Sequence, residues 1–198
     1  MADKLIPTPS QTVGPFFHLG LAHPEWSDLT ADHPAGTLGG EQIAIEGRVI
    51  DGDGAPVPDA LIELWQANAA GRYNHPDDQQ TDKPLDPHFR GFGRVATDAE
   101  GRFRVVTIKP GPVPGRGNAL QAPHINIVLF ARGLLTHLFT RIYFADEKAN
   151  AGDPLLSSIE DEGVRRTLLA RRAPGDSPAL YRFDIVLQGD NETAFLHI

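Results

Sequence analysis

The chain has 198 residues, contains no cysteine and carries a formal net charge of −8 at pH 7. The lack of cysteine excludes disulfides, zinc–thiolate sites and cysteine nucleophiles. Nucleic acid is not an expected partner, because no basic stripe is present to offset the phosphates. Residues 1–7 lack the apolar run of a signal peptide, and no stretch approaches the roughly 18 apolar residues of a membrane span, so we expect a cytoplasmic protein that binds no membrane.

The 20 glycines and 17 prolines fall between short apolar runs, which is typical of an all-β protein with many turns. We predict a single-domain β-sandwich over residues 41–198, with long loops at 66–92 and 109–123. Residues 1–40 show little periodicity, and their prolines favour extended or turning backbone. We therefore predict an extended N-terminal arm over residues 1–40, which lies across a surface of this chain or of a partner.

Six of the predicted strands form three pairs, each across a short turn. The first of them alternates apolar and polar side chains, as in a half-buried strand. The pairs are 43–50 with 60–65 across the turn 51–54, 93–97 with 103–108 across 98–101, and 126–131 with 136–144 across Arg132-Gly133. A last strand is predicted at 182–188.

One short helix is predicted in the C-terminal half. Ser157-Ser158-Ile159-Glu160 offers the chemistry of a capping box. Apolar residues at 159, 164, 168 and 169 then form a rough helical stripe that ends near Arg172, with Gly163 weakening the pattern. The arginine pairs at 165–166 and 171–172 are interpreted as the solvated face of this helix.

The stretch His124-Ile125-Asn126 is the most informative one for function. Side chains at i and i+2 of a strand point to the same face, so two histidines at this spacing would converge on a metal ion. Here the second position is Asn126, and a carboxamide is a poor substitute for imidazole. The segment is either an ordinary buried strand with one polar residue or a metal site that has lost a ligand.

An ordered set of motifs supports the second interpretation. It runs from Pro9-Ser10-Gln11-Thr12 through residues 61–73, Pro84-Leu85-Asp86-Pro87, Gly91-Phe92-Gly93-Arg94, 97–101 and Thr107-Ile108-Lys109-Pro110-Gly111-Pro112 to Tyr181-Arg182-Phe183-Asp184-Ile185. No single motif is decisive, but in this order they resemble the intradiol ring-cleaving dioxygenases over almost the whole chain.

The resemblance implies a ferric site built from two tyrosines, two histidines and a water or hydroxide. Its four ligand positions fall on Tyr73, Val113, His124 and Asn126. Two of the four residues are not ligands of the required kind, so the chain alone is expected to bind no metal and to hold no catalytic residue. In that case Tyr73 and His124 are structural residues, and Fe(III) belongs to a homologous partner chain, the β subunit.

The resemblance also implies that this chain contributes to a substrate pocket shared with the partner. Thr12, Gly14 and Pro15 lie in the arm, where glycine permits close approach and proline stiffens a wall for an aromatic ring. Arg132 is expected to bind a substrate carboxylate through its planar guanidinium. The alternatives are a plain turn in a surface arm and a hairpin-tip arginine in solvent.

The function implied is that of a non-iron-binding α subunit in a higher αβ oligomer. Together with O2, the assembly would cleave the ring of 3,4-dihydroxybenzoate between its hydroxyl-bearing carbons to form 3-carboxy-cis,cis-muconate. Two alternatives remain open. One is a self-sufficient homo-oligomeric intradiol dioxygenase of the catechol type, and the other is a non-enzymatic transthyretin-like β-sandwich that acts as a binding module.

Overall fold

The computed structural model describes residues 6–34, 37, 39–117, 119–175 and 178–197. Strands dominate this part of the chain, and its helices are short. The strands are β1 (Gln42–Ile50), β2 (Leu61–Trp65), β3 (Phe92–Ala96), β4 (Arg102–Ile108), β5 (Val113–Pro114), β6 (Leu120–Gln121), β7 (His124–Phe130), β8 (Leu138–Phe144), β9 (Leu169–Arg172), β10 (Ala179–Arg182) and β11 (Ile185–Val186). The α-helices are α1 (Pro154–Ser158) and α2 (Glu162–Arg166), and 3-10 helices span Phe17–Gly20, Pro24–Ser27 and Lys148–Gly152.

Nine strands form one hydrogen-bonded sheet, in which eight follow the order β11-β1-β10-β9-β8-β7-β2-β3 and β4 pairs with β1 off this path. The strands β5 and β6 form a separate ribbon. Although β3 and β4 follow each other in sequence, β3 ends the path beside β2, whereas β4 pairs with β1 near its other end. The sheet curls into a nearly closed barrel-like form. The predicted all-β class is confirmed. The pairing joins these strands into one curled sheet, and it does not separate the two layers of a sandwich.

Only one of the three predicted hairpins is confirmed. β7 and β8 pair antiparallel from His124 opposite Tyr143 to Leu129 opposite Leu138. The other two are wrong, because β1 pairs with β4, β10 and β11, while β2 and β3 pair with each other. The turn before β4 reverses the chain through Gly101, whose φ is +69°, but it carries the chain to the other end of the sheet. Turn chemistry sets a reversal, whereas long-range packing selects the partner strand.

The strand β7 divides its side chains between two faces of the sheet. Ile125, Ile127 and Leu129 point inward and belong to the main hydrophobic core. His124 and Asn126 therefore point to the outer face, since successive side chains of a strand alternate. A second, smaller cluster of Ala122, Tyr143, Leu156 and Leu168 covers that outer face at the His124 end.

The N-terminal arm was predicted to be extended, but it is not extended over its whole length. Two 3-10 helices interrupt it, and the second starts at Pro24, a residue whose fixed φ suits a first helical position. Leu29 then enters the main core, and its backbone N–H donates to the Val106 carbonyl at 2.9 Å. Residues 1–5, 35–36 and 38 of the predicted arm lie outside the described residues. The division of the chain at residue 40 stays a prediction.

The single helix predicted in the C-terminal half is also wrong, because two five-residue helices stand there. The carboxylates of Asp153 and Asp161 cap α1 and α2, in place of the predicted serine cap. Leu169–Arg172 forms β9 between β8 and β10, so tertiary pairing overrides its weak helical pattern. Within the described ranges, no helix has the length and apolar character needed to cross a bilayer.

Candidate functional site

A row of polar and aromatic side chains crosses the outer face of β2, β7 and β8. Asn126 is directly opposite Trp65 on one side and Arg141 on the other. His124 is opposite Tyr143 in the same register. Directly opposed residues share a face of a sheet, so this row places Arg141 and Tyr143 beside two of the positions that the family resemblance assigns to iron ligands.

Arg141 is the centre of the hydrogen bonds in this row. Its Nε donates to Oδ1 of Asn126 at 2.9 Å, and its Nη1 donates to Oε1 of Gln121 at 2.6 Å. The same Nη1 lies 3.2 Å from the hydroxyl of Tyr143. The amide of Asn126 also donates to the carbonyl oxygen of Trp65 at 3.2 Å. Both polar atoms of the Asn126 side chain are therefore occupied by neighbours within the chain.

His124 is buried, and its Nδ1 lies 2.8 Å from the carbonyl oxygen of Ala122. Because a carbonyl only accepts, this contact places a proton on Nδ1 and leaves Nε2 with its lone pair. Burial, reinforced by the charge of Arg141, lowers the pKa of His124 to about 4. The imidazole is neutral near pH 7, which is the form that ligates metals.

Tyr73 and Val113 line one open depression together with Trp65. The Tyr73 ring stacks on Trp65 with a centroid distance of 5.5 Å, and its hydroxyl lies 3.5 Å from the amide nitrogen of Asn126. Burial raises the pKa of the Tyr73 phenol, with Arg141 acting in the opposite direction. The structure therefore gathers Tyr73, Val113, His124 and Asn126 around one region of the outer face.

Asp153 supports this region from the second layer. The carboxylate is fully buried and accepts the backbone N–H groups of Leu155 and Leu156 at the start of α1. It also accepts the N–H of Ala122 at 2.8 Å and the hydroxyl of Tyr143 at 3.1 Å. One carboxylate thus joins α1 to β8 and to the residue whose carbonyl contacts His124.

These residues do not fit a ferric ion. Fe(III) is a hard cation that requires anionic oxygen donors and basic nitrogens. Val113 has no donor atom, the side chain of Asn126 is already bonded at both ends, and a guanidinium lies beside it. Among the described residues, no group of three or more His, Cys, Asp or Glu side chains is arranged to hold a metal ion. The remaining donors are Tyr73 and His124.

A second constellation lies at the opposite end of β7. Phe130 is six residues after His124, which is about 20 Å along the strand at roughly 3.4 Å per residue. Arg132 follows Phe130 at the tip of the β7–β8 hairpin, and its Nε and Nη2 bind Asp59 at 3.2 Å and 2.9 Å. The Arg132 side chain is 51% exposed, so it is neither free in solvent nor covered.

The arm reaches this hairpin. The Thr12 hydroxyl accepts the backbone N–H of Gly133 at 2.8 Å, so Thr12 is adjacent to Arg132 in space. Phe17 packs on Phe130 with a centroid distance of 5.6 Å. Gly14 and Pro15, between these two anchors, are exposed. The structure therefore places Thr12 beside the hairpin tip and leaves Gly14 and Pro15 exposed on the arm, while their place in a shared pocket stays a prediction.

The sequence patterns do not identify three residues of the region around His124 as functional, namely Arg141, Tyr143 and Asp153. Arg141 had a usable signal, because it is a charged residue among mainly apolar and aromatic ones in the middle of a predicted strand. Its significance depends on its register opposite Asn126, and the sequence does not supply that register. Asp153 carries no pattern beyond its place before Pro154.

Comparison with known proteins defines the class to which this fold and site belong. A family model described as a dioxygenase matches residues 13–189. The chain belongs to this family, the intradiol dioxygenases. Its fold is similar to the solved dioxygenase domain of a dioxygenase and carbohydrate-binding fusion from Streptomyces sp. SirexAA-E, with a TM-score of 0.61 at 26% identity, over 96% of this chain and 100% of that one.

Two relatives narrow the comparison. The α chain of protocatechuate 3,4-dioxygenase from Pseudomonas putida is 44% identical over 204 residues, covering 98% of each chain. The β chain of protocatechuate 3,4-dioxygenase from Burkholderia cepacia is 46% identical over 160 residues, covering 78% of this chain and 67% of the relative. The α chain matches at almost full length, whereas the likeness to the β chain covers a shorter stretch.

Proposed function

We propose that this chain is the non-iron-binding α subunit of a protocatechuate 3,4-dioxygenase. It pairs with a homologous β subunit that holds Fe(III), and the αβ units assemble into a higher oligomer. The complex cleaves 3,4-dihydroxybenzoate with O2 to 3-carboxy-cis,cis-muconate, as a cytoplasmic step in the breakdown of aromatic compounds. The chain itself supplies a pocket wall and a cation for the substrate carboxylate.

The carrying observation is the contact between Thr12 and Gly133, which sets the arm beside Arg132. An aromatic carboxylate needs a wall for its ring and a cation for its charge. Gly14 and Pro15 offer the wall, and Asp59 binds two N–H groups of Arg132. Within the described residues Nη1 of Arg132 makes no hydrogen bond, so it remains available to a carboxylate.

The donor atoms of the chain support an iron site on the partner. A self-sufficient enzyme would need its own complete ligand set, and here Val113 and Asn126 occupy two of the four positions. The transthyretin-like binding module is disfavoured for a different reason, since the family match spans residues 13–189. Phe16 and Leu19 in the arm and Leu135 near the hairpin tip are exposed, which suits contact with an apolar surface of a partner.

The test compares the chain alone with the chain co-expressed with its β partner. We expect the isolated chain to bind less than one equivalent of iron, to lack a visible charge-transfer band and to leave 3,4-dihydroxybenzoate intact. The co-purified complex should contain iron and cleave this substrate. One equivalent of tightly bound iron in the isolated chain, or full turnover without a partner, would contradict the proposal.

A further inference from the structure

Arg141 is an unusual arginine, because its bonding partners are neutral. The three acceptors it contacts are the side chains of Gln121, Asn126 and Tyr143, which come from β6, β7 and β8. Within the described residues it forms no salt bridge, and the Asp153 carboxylate bonds to the Tyr143 hydroxyl that Arg141 also contacts. Side-chain oxygen atoms from three strands therefore surround this half-buried cation, as ligand oxygen atoms surround a bound metal ion.

The position of this cation is equally specific. Arg141 is directly opposite Asn126, a position that the family pattern gives to a metal ligand. The two side chains that Arg141 contacts on β7 and β8 are also the neighbours of the remaining ligand-type residues. The amide nitrogen of Asn126 lies 3.5 Å from the Tyr73 hydroxyl, and Tyr143 is directly opposite His124. A cation placed there stabilises the neighbouring oxygen atoms and opposes the approach of a second cation, since like charges in a partly buried site repel strongly.

We infer that the Arg141 guanidinium takes the place of a metal ion in this chain, holding Asn126 and Gln121 together and keeping Fe(III) away from Tyr73 and His124. This inference rests on the proposed absence of iron from the chain. It goes further by giving the exclusion two causes. Two ligands are missing, and a built-in positive charge occupies the site. Restoring the ligands alone is then insufficient to restore iron binding.

The test restores the ligands with and without the guanidinium. One variant of the full chain carries Val113→Tyr and Asn126→His, and a second carries Arg141→Gln in addition. A matched control adds Arg182→Gln to the first variant, because Arg182 is an exposed arginine that pairs with Glu46 on β1. Iron binding is measured by titration, by metal analysis and by the visible tyrosinate-to-iron absorption, so no activity is needed.

We expect the three-substitution variant, which lacks Arg141, to bind iron at least about tenfold more tightly than the two-substitution variant. A neighbouring charge shifts a pKa by about one unit or more, and one unit corresponds to a factor of ten. The Arg182→Gln control should behave like the two-substitution variant. The inference is overturned if removal of Arg141 gives no gain in affinity. Iron in the wild-type chain would instead contradict the proposed function, so the two failures are distinguishable.

A second measurement decides the matter if Val113→Tyr prevents folding. Asn126→Asp is made in the wild-type chain and in the Arg141→Gln chain, and the melting temperatures are combined in a double-mutant cycle. If the positive charge of Arg141 acts on position 126, Asn126→Asp should leave the melting temperature of the wild-type chain nearly unchanged and should lower that of the Arg141→Gln chain. Equal shifts in the two backgrounds would overturn the inference.

Discussion

The two ends of β7 use their polar side chains in opposite ways. At the His124 end they are buried or half-buried and bond to one another through Arg141 and Asp153. At the Arg132 end they are exposed, and the arm adds one hydroxyl at Thr12 and one aromatic ring. One strand of seven residues thus joins a closed polar network to an open surface.

The difference separates structural polarity from polarity that is available to a ligand. In the closed network the Asn126 amide and the Asp153 carboxylate have partners inside the chain, so a new ligand would have to displace existing bonds at these groups. At the open end Arg132 retains exposed N–H groups, and apolar side chains such as Phe16 stand uncovered. We therefore expect substitutions at the closed end to change stability, and substitutions at the open end to change binding.

The largest effect is expected from Asp153→Ala at the closed end. The substitution leaves three backbone N–H groups and the Tyr143 hydroxyl without their acceptor in a fully buried place. We expect the free energy of unfolding to fall by about 3 kcal/mol, because each lost buried partner contributes on the order of 1 kcal/mol. Urea denaturation of the folded chain or complex measures this loss. Asp161→Ala is the control, since it removes an exposed cap only, and a similar loss there would contradict the comparison.

Arg132→Ala should produce the next largest effect, this time on binding. The substitution removes the cation and leaves the Asp59 carboxylate uncompensated. In the αβ complex we expect KM for 3,4-dihydroxybenzoate to rise about tenfold to a hundredfold, the equivalent of a charge-assisted hydrogen bond of about 1.5–3 kcal/mol. Iron content and catechol turnover should change little. Arg132→Lys keeps the charge, and its KM should lie between those of the wild type and Arg132→Ala. An unchanged KM would show that the partner alone binds the carboxylate.

Thr12→Val should produce a smaller, local effect on the arm. Valine has the shape of threonine but cannot accept the Gly133 N–H. We expect hydrogen exchange of the Gly133 amide to accelerate about fivefold, which corresponds to the loss of one hydrogen bond of about 1 kcal/mol. Thr12→Ser keeps the hydroxyl and should exchange like the wild type. If valine and serine behave alike, the arm is held by Phe17 and not by Thr12.

Tyr73→Phe should have the smallest effect of all. Its hydroxyl lies 3.5 Å from the Asn126 amide, too long for a strong hydrogen bond, while the ring stacking on Trp65 is kept. We expect the stability to change by less than about 0.5 kcal/mol and the iron content of the αβ complex to stay constant. Loss of iron from the complex would assign a metal to this chain after all.

The sequence predicts the positions of the main strands better than it predicts their pairing. The ligand positions, the pocket residues of the arm and the hairpin arginine are implied by the resemblance to the intradiol dioxygenases, and their roles stay predictions. Strand pairing is different, since a turn such as the one ending at Gly101 serves a hairpin or a crossing between sheet edges equally well. For that reason the β7–β8 hairpin was predicted correctly, whereas the pairing of β3 with β2 was not.

The C-terminal half shows the same limit for helices. Residues 169–172 carry a weak helical pattern, but β8 and β10 offer them hydrogen-bond partners on both sides. Packing of the strand therefore outweighs local preference, which contributes only tenths of a kcal/mol per residue. Asp153 before Pro154 is a local signal for the start of α1, since aspartate caps helices and proline suits the first helical position, but the predicted cap was Ser157.

By itself the sequence determined the all-β class, because that class follows from short-range periodicity and turn residues. It also placed Val113, Asn126 and Arg132 at positions that the family resemblance marks, where their roles stay predictions. Only the tertiary structure decided that Arg141 stands opposite Asn126 and that Thr12 reaches Gly133. The first contact depends on the register of β7 against β8, and the second joins segments that are distant in sequence. Such contacts depend on the packing of the whole sheet, which no local stretch of residues encodes.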